Sequence, residues 1–239
     1  MSRHRSRTNA PRVAAIVAEA RRRLGALADP AVKAGGERYF KGVIPFVGVS
    51  APVVRGLARD LLAEQRAVAT ETLIDAALAL LCGAHMEEKQ LGILMLERLG
   101  RRWPATLLDD IDRIFDRAVN NWATCDAIAG RIVHPLLQRD PAVARRMARW
   151  SRARHPWRQR AAAVAFVKSA RSGVHTATIL AICDRLARRD DRFVQLGMGW
   201  VLRELSLADR AGVVAFLARH RATIRREALR YAIEKLNAT

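Results

Sequence analysis

The sequence is short of acids. Against 42 Lys and Arg stand 23 Asp and Glu in 239 residues, a formal charge of +19. That deficit excludes an ordinary mixed-sign surface and implies an anionic partner, nucleic acid first and an anionic membrane surface second. Lysine is scarcer still, only five residues. A GC-rich genome alone trades Lys for Arg, so the net charge carries more weight than that ratio. Long apolar runs are missing: the longest, such as Ala76 to Cys82, fall far short of a membrane span. The opening MSRHRSRTNAPR lacks the apolar core of a secretory leader, so the expected location is cytoplasmic. Cysteine is rare. Cys82, Cys125 and Cys183 stand singly, with no CxxC and no His at ligand spacing, which argues against a zinc site and a disulfide framework and predicts a reducing compartment. There is no Gly-rich phosphate loop to support an ATP-dependent reading. No cofactor is expected.

Alternating β-branched segments bounded by Asn-Gly or Asp-Gly turns are also lacking, whereas apolar residues recur at three- and four-residue steps almost throughout. The expected fold is all-α. The punctuation predicts helices near 11–27, 30–42, 51–66, 70–84, 86–101, 105–119, 122–138, 141–154, 156–171, 175–189, 191–206, 208–219 and 222–237. Pro52, Pro104, Pro141 and Pro156 sit near starts, where a missing N–H costs nothing, and Thr70 and Asp140 are candidate caps. PWRQRAAAVAFVKSAR from Pro156 aligns with RFVQLGMGWVLREL from Arg192, Trp157 on Phe193 and Gln159 on Gln195, an offset of about 36 residues that holds two helices. EKQLGILMLERLG from Glu88 and IRREALRYAIEKL from Ile224 resemble further copies. The expected architecture is an α-solenoid of helix pairs with a concave basic groove, one continuous domain over 11–239 after a basic flexible arm at 1–10, with Arg3, Arg5, Arg7 and Arg12 near the start.

Half of the charge excess lies between Arg139 and Arg171, where ten basic residues face one acid, Asp140. Solvated faces usually mix signs, so a block of one sign that also carries Trp150 and Trp157 suits a surface that tracks phosphates. Trp122 and Asp126, four apart in NNWATCDAIAG, share a helix face, as do Trp200 and Arg203 behind Gly197 and Gly199. Arg158, Arg160 and Lys168 lie on the intervening repeat. The plain alternative makes Asp126 a surface acid and Trp122 ordinary core. Together, however, these residues make a wall of two indoles, one carboxylate and several cations, suited to stabilising a cationic sugar as an N-glycosidic bond breaks. The six dispersed His, Cys125 beside Asp126, and Trp103 and Trp150 are set aside as structural.

At these residues the sequence resembles the DNA alkylation repair glycosylases of the AlkD type, a family of HEAT-like helix pairs wrapped around DNA. The resemblance rests on the W-x-x-x-D pair Trp122 and Asp126, on WRQRAAAVAF from Trp157 with Arg160 and then Lys168, and on GWVLRE from Gly199 with Trp200 and Arg203. GVSAPVVR from Gly48 is a weaker match that adds Arg55 as a phosphate contact. The resemblance implies a monofunctional glycosylase excising cationic N3- and N7-alkylpurines from double-stranded DNA. In it Trp122 and Trp200 lie against the lesion deoxyribose, Asp126 stabilises the sugar cation or positions water, and Arg160 grips the backbone. It also implies a cofactor-free monomer that works without drawing the base into a tight pocket and so accepts bulky adducts. Two positions depart from the family pattern: Asn121 stands where an aromatic can occur, and Ser50-Ala51 replaces the usual polar pair. The alternative function is a non-catalytic scaffold that binds DNA structures or acidic protein segments.

Overall fold

The computed structural model describes residues 9–236, and every regular element among them is helical. Arg3, Arg5 and Arg7 of the expected arm lie outside those residues. Arg12 falls inside the first helix and donates to Gln65 Oε1 at 2.9 Å. No described helix is long and apolar enough to cross a membrane. The chain divides into two compact units between Thr124 and Cys125.

The first unit holds α1 (Ala10–Ala26), α2 (Pro30–Tyr39), α3 (Ala51–Glu64), α4 (Thr70–Leu81), α5 (Met86–Arg98), a short 3-10 turn (Gly100–Arg102) and α6 (Leu107–Ala118). Thr70 is the first residue of α4, and Ala69 precedes it as the cap, so Thr70 does not cap that helix. Leu73, Leu80, Leu91, Met95 and Leu96 are buried where α4 and α5 pack. Gly92 permits this approach, since a side chain there would run into the Ala77 carbonyl. Buried Lys89 donates to the Leu81 carbonyl at 3.3 Å and the Ala118 carbonyl at 2.8 Å, the last residues of α4 and α6. A cation suits both helix C-termini, although burial pushes its pKa below the ordinary lysine value. Buried Glu87 accepts the N–H groups of Val47, Gly48 and Val49 at 2.8–3.0 Å and so sets the loop that leads into α3. Gly48 has φ +108°, a conformation that excludes most side chains.

Helix α7 (Trp122–Ile128) starts at the end of the first unit and continues into the second. A π-helical turn (Ala129–Val133) follows, then α8 (His134–Arg139), α9 (Ala142–Trp150), α10 (Pro156–Val164), α11 (Val167–Ala170), α12 (Thr176–Leu186), α13 (Arg192–Leu205), α14 (Arg210–His220) and α15 (Arg226–Ile233). The elements form two rows: the π turn, α10, α13 and α15 pack in succession, and α9, α12 and α14 form the second row against them.

The repeat read from sequence is present in this packing. Gln159 and Gln195 are both buried, and each donates to a carbonyl six residues back, Ala153 at 2.5 Å and Arg189 at 2.8 Å. Their neighbours Trp157 and Phe193 meet with ring centroids 5.3 Å apart.

Two expected helices are interrupted. Over 122–138 the α ladder shifts to π at Ala129–Val133, where the His134 N–H reaches back to the Ala129 carbonyl. The Gly130 carbonyl would then need a donor at position 135, which is proline and has none. Lys168 Nζ takes that carbonyl at 2.8 Å. The helix expected over 156–171 is broken after Val164. There the Ala165 carbonyl accepts from His134 Nδ1 at 3.1 Å, while the Ser169 N–H turns to Phe166.

The basic block at 139–171 is correspondingly divided between the rows. Arg160 is buried, Lys168 holds Gly130, and Arg171 donates to Glu204 at 2.6 Å, whereas Arg145, Arg149, Arg152 and Arg154 are exposed on or just beyond α9.

Candidate functional site

The site is built outward from the start of α7. Asn121 is buried, and its side-chain oxygen accepts the Thr124 N–H at 2.9 Å, which satisfies one of the open donors of the first turn. Its amide also donates to Asn120 Oδ1 and Thr124 Oγ1, each at 3.0 Å. The departure from the family pattern at Asn121 is thus the cap that begins the helix one residue before Trp122. Trp122 and Asp126 follow one turn apart on the same helix, the carboxylate lying past the first turn.

Within the first unit, Phe40 lies parallel to the Trp122 indole, with centroids 5.5 Å apart and planes 16° apart, and Tyr39 meets it edge-on at 6.2 Å. One face of the indole is therefore covered. Tyr39 itself is 69% exposed. Sequence reasoning passed over both residues. The signal available was an adjacent aromatic pair in a chain with only 5% aromatics.

Within the second unit, Arg160 holds Asp126 through both carboxylate oxygens, Nε to Oδ1 at 2.8 Å and Nη2 to Oδ2 at 2.7 Å. Its remaining nitrogen donates to the Phe193 carbonyl at 2.6 Å, in the first turn of α13. The side chains are 8% and 15% exposed. Burial raises the pKa of Asp126 above the ordinary aspartate value, and the Arg160 hydrogen bonds reverse only part of that rise. For Arg160 burial works against the charge and Asp126 outweighs it, so its pKa rises and the guanidinium stays protonated. Bidentate pairing of this kind fixes the plane of the carboxylate as well as its charge.

Gly197 of α13 makes room for the arginine: a Cβ there would lie 3.0 Å from Arg160 Cγ. Trp200 stands one turn further along α13, partly exposed. Gly199 beside it lets α13 touch α15, where a Cβ would come within 2.7 Å of the Ala228 carbonyl. Arg203 lies over the Tyr231 ring at 5.2 Å and pairs with Glu234 at 2.9 Å. Buried Glu204, next to it, gathers Arg171 at 2.6 Å and Lys235 at 2.7 Å.

The charged residues of the expected site thus fall into three settings. Asp126 and Arg160 are in direct contact. Arg203, Lys168 and Arg158 are partly engaged, Arg203 with Tyr231 and Glu234, Lys168 with Gly130, and Arg158 over the Trp150 ring at 4.9 Å. Arg55 is exposed on α3 in the first unit. The neighbouring Cys125 is fully buried and directs its thiol to the Trp157 carbonyl at 3.3 Å. Burial pushes that thiol well above its usual pKa, so it stays neutral and is a poor nucleophile. Among the described residues no group of three or more His, Cys, Asp or Glu is placed to hold a metal ion.

A family model described as DNA alkylation repair enzyme matches residues 20–236. Among solved structures the chain is similar to a predicted DNA alkylation repair enzyme from Enterococcus faecalis, with 17% identity, 89% of this chain and 98% of that chain covered, and a TM-score of 0.78. At that identity the likeness speaks for the fold. No curated protein matches the chain. With nearly its whole length matched, the chain belongs to the DNA alkylation repair enzyme family.

Proposed function

We propose that the protein is a monofunctional DNA glycosylase that hydrolyses the N-glycosidic bond of cationic N3- and N7-alkylated purines in duplex DNA. The observation that supports this most is the state of Asp126, a carboxylate almost out of water, held in one orientation by Arg160 and one helical turn from Trp122. Such a group stabilises a developing cation more strongly than it would in water.

In the proposed reaction the C1′–N bond breaks and its electron pair leaves with the base, which neutralises the alkylpurinium. Because the base departs neutral, no general acid is required. The deoxyribose is left as an oxocarbenium ion, Asp126 stabilises it, and the indoles of Trp122 and Trp200 offer it their electron-rich faces. Water adds at C1′ and loses its proton, leaving an abasic site. Arg160 acts on the carboxylate, while Lys168, Arg203, Arg158 and Arg55 meet phosphates. The base is not drawn into a tight pocket, so bulky adducts are accepted. The protein works as a monomer without a cofactor.

A second reading is favoured by the same pair: if Arg160 and Asp126 serve only to tie α7 to α10, the protein is a scaffold that binds DNA without chemistry. Base release separates the two. Purified protein incubated with alkylated duplex DNA releases free 7-methylguanine and 3-methyladenine on the glycosylase reading. Tight, salt-dependent binding with no released base establishes the scaffold.

A further inference from the structure

Helix α9 lies in the second row, not in the row of α10, α13 and α15 that carries Arg160 and Trp200. Its apolar stripe, Val143, Ala144, Met147 and Trp150, is buried. Arg145 and Arg149 are exposed about 180° around the helix from that stripe at 3.6 residues per turn, and Arg152 is exposed in the turn just past the helix end. None of the three has a side-chain partner among the described residues. The acids that could neutralise them are taken elsewhere: Asp140 accepts the Ala142 N–H at 2.8 Å, and Asp184 of the adjacent α12 is held by His220 at 3.0 Å. We infer that this arginine row binds the sugar-phosphate backbone of a second duplex DNA segment, apart from the one presented to Asp126.

The chemistry of the row favours a phosphate chain over other polyanions. Three exposed guanidiniums following one another at four- and three-residue steps offer a row of forked donors, which suits successive phosphates along a strand. A stably bound membrane surface or protein partner commonly adds apolar contacts to such charges. No exposed large apolar residue lies on α9. Only the word "second" in this inference rests on the proposed function, which gives the α10–α13 row to the lesion-bearing duplex.

The test is a bridging experiment with the full chain. An immobilised undamaged duplex is loaded with protein, and a labelled undamaged duplex is then offered. The triple variant Arg145→Gln, Arg149→Gln, Arg152→Gln is compared with a control of equal charge, Arg210→Gln, Arg221→Gln, Arg226→Gln. The wild type and the control capture the second duplex, while the α9 variant loses capture at least tenfold and still releases base from a short alkylated duplex within twofold of wild type. The inference is overturned if the wild type captures nothing, if the control loses as much as the α9 variant, or if base release falls together with capture. It is also overturned if only binding to anionic phospholipid vesicles depends on the row. Should neither the wild type nor the variant release base while capture still depends on α9, the arginine row stands and the glycosylase reading fails alone.

Discussion

Arg160 reaches across 34 positions of sequence to grip both carboxylate oxygens of Asp126, at 2.8 and 2.7 Å, and the two side chains shield each other from water. The separation is close to one repeat, and the tie joins α7 to α10.

A buried ion pair is strongly destabilised by losing one partner, by about 3–5 kcal/mol, and much less by losing both. Asp126→Asn alone therefore lowers the melting temperature, because it strands the Arg160 charge. Adding Arg160→Gln to Asp126→Asn restores most of that loss. A thermal denaturation cycle over the four proteins measures the coupling, and additive single-variant losses would show the pair to be energetically idle.

Two glycines on one helix should respond differently to the same methyl group. In Gly199→Ala the new Cβ meets backbone, the Ala228 carbonyl, so α13 and α15 must separate at a cost of about 1–3 kcal/mol. In Gly197→Ala it meets the flexible Arg160 side chain, so stability changes less and base release falls as the arginine shifts its grip on Asp126. Urea unfolding alongside single-turnover rates distinguishes them. The reverse ranking of stability losses would contradict the packing described.

His134 supplies a pH signature. Its Nδ1 faces the Ala165 carbonyl, which can only accept, so Nδ1 carries a proton. Burial lowers its pKa, the Ala165 hydrogen bond partly opposes this, and nearby Lys168 adds to the lowering. Between the lowered folded value and 6.5 the unfolded chain binds more protons, so stability rises with pH across that window. This contribution is complete above 6.5 and is lost as pH falls through the window toward the folded value. Stability measured from about pH 5 to 7 should be less steep in His134→Gln than in the wild type. Identical slopes would mean that His134 titrates alike in both states.

Lys168 satisfies the carbonyl that the π turn and Pro135 leave open. Lys168→Met removes that bond at an exposed position, so the expected loss is small, about 0.5–1.5 kcal/mol. Hydrogen exchange should quicken in the π turn at Ala129–Val133 and stay unchanged in α4 and α5. Uniform exchange across the chain would show that Lys168 does not support this turn.

The helical pattern and the 36-residue repeat were legible in the sequence because stacked pairs keep their apolar stripes and buried glutamines in register. The helix over 192–205 is one residue shorter at each end than expected, and helix 51–64 begins where Pro52 says it should. What stayed hidden depends on contacts distant in sequence. The break after Val164 has no local proline or glycine, since it follows from His134 claiming a carbonyl. Pro135 marked a missing donor, but α-helical spacing leads it back to Arg131, and only the π register makes Gly130 the carbonyl it leaves open. At the site, the W-x-x-x-D spacing marked Asp126, but nothing local told a buried Arg160 from the exposed arginines around it, because all lie in one basic stretch. Only the alternation of rows separates Arg160 from Arg145, Arg149 and Arg152.

The central claim is that the Asp126 carboxylate, not the fold alone, lowers the barrier to base loss. Single-turnover release of 7-methylguanine from alkylated duplex DNA by the wild type, Asp126→Asn, and the stability-restored Asp126→Asn, Arg160→Gln protein tests it. The account predicts that both variants slow by about 10²–10³-fold while still binding the duplex. A folded double variant that releases base at the wild-type rate would contradict it.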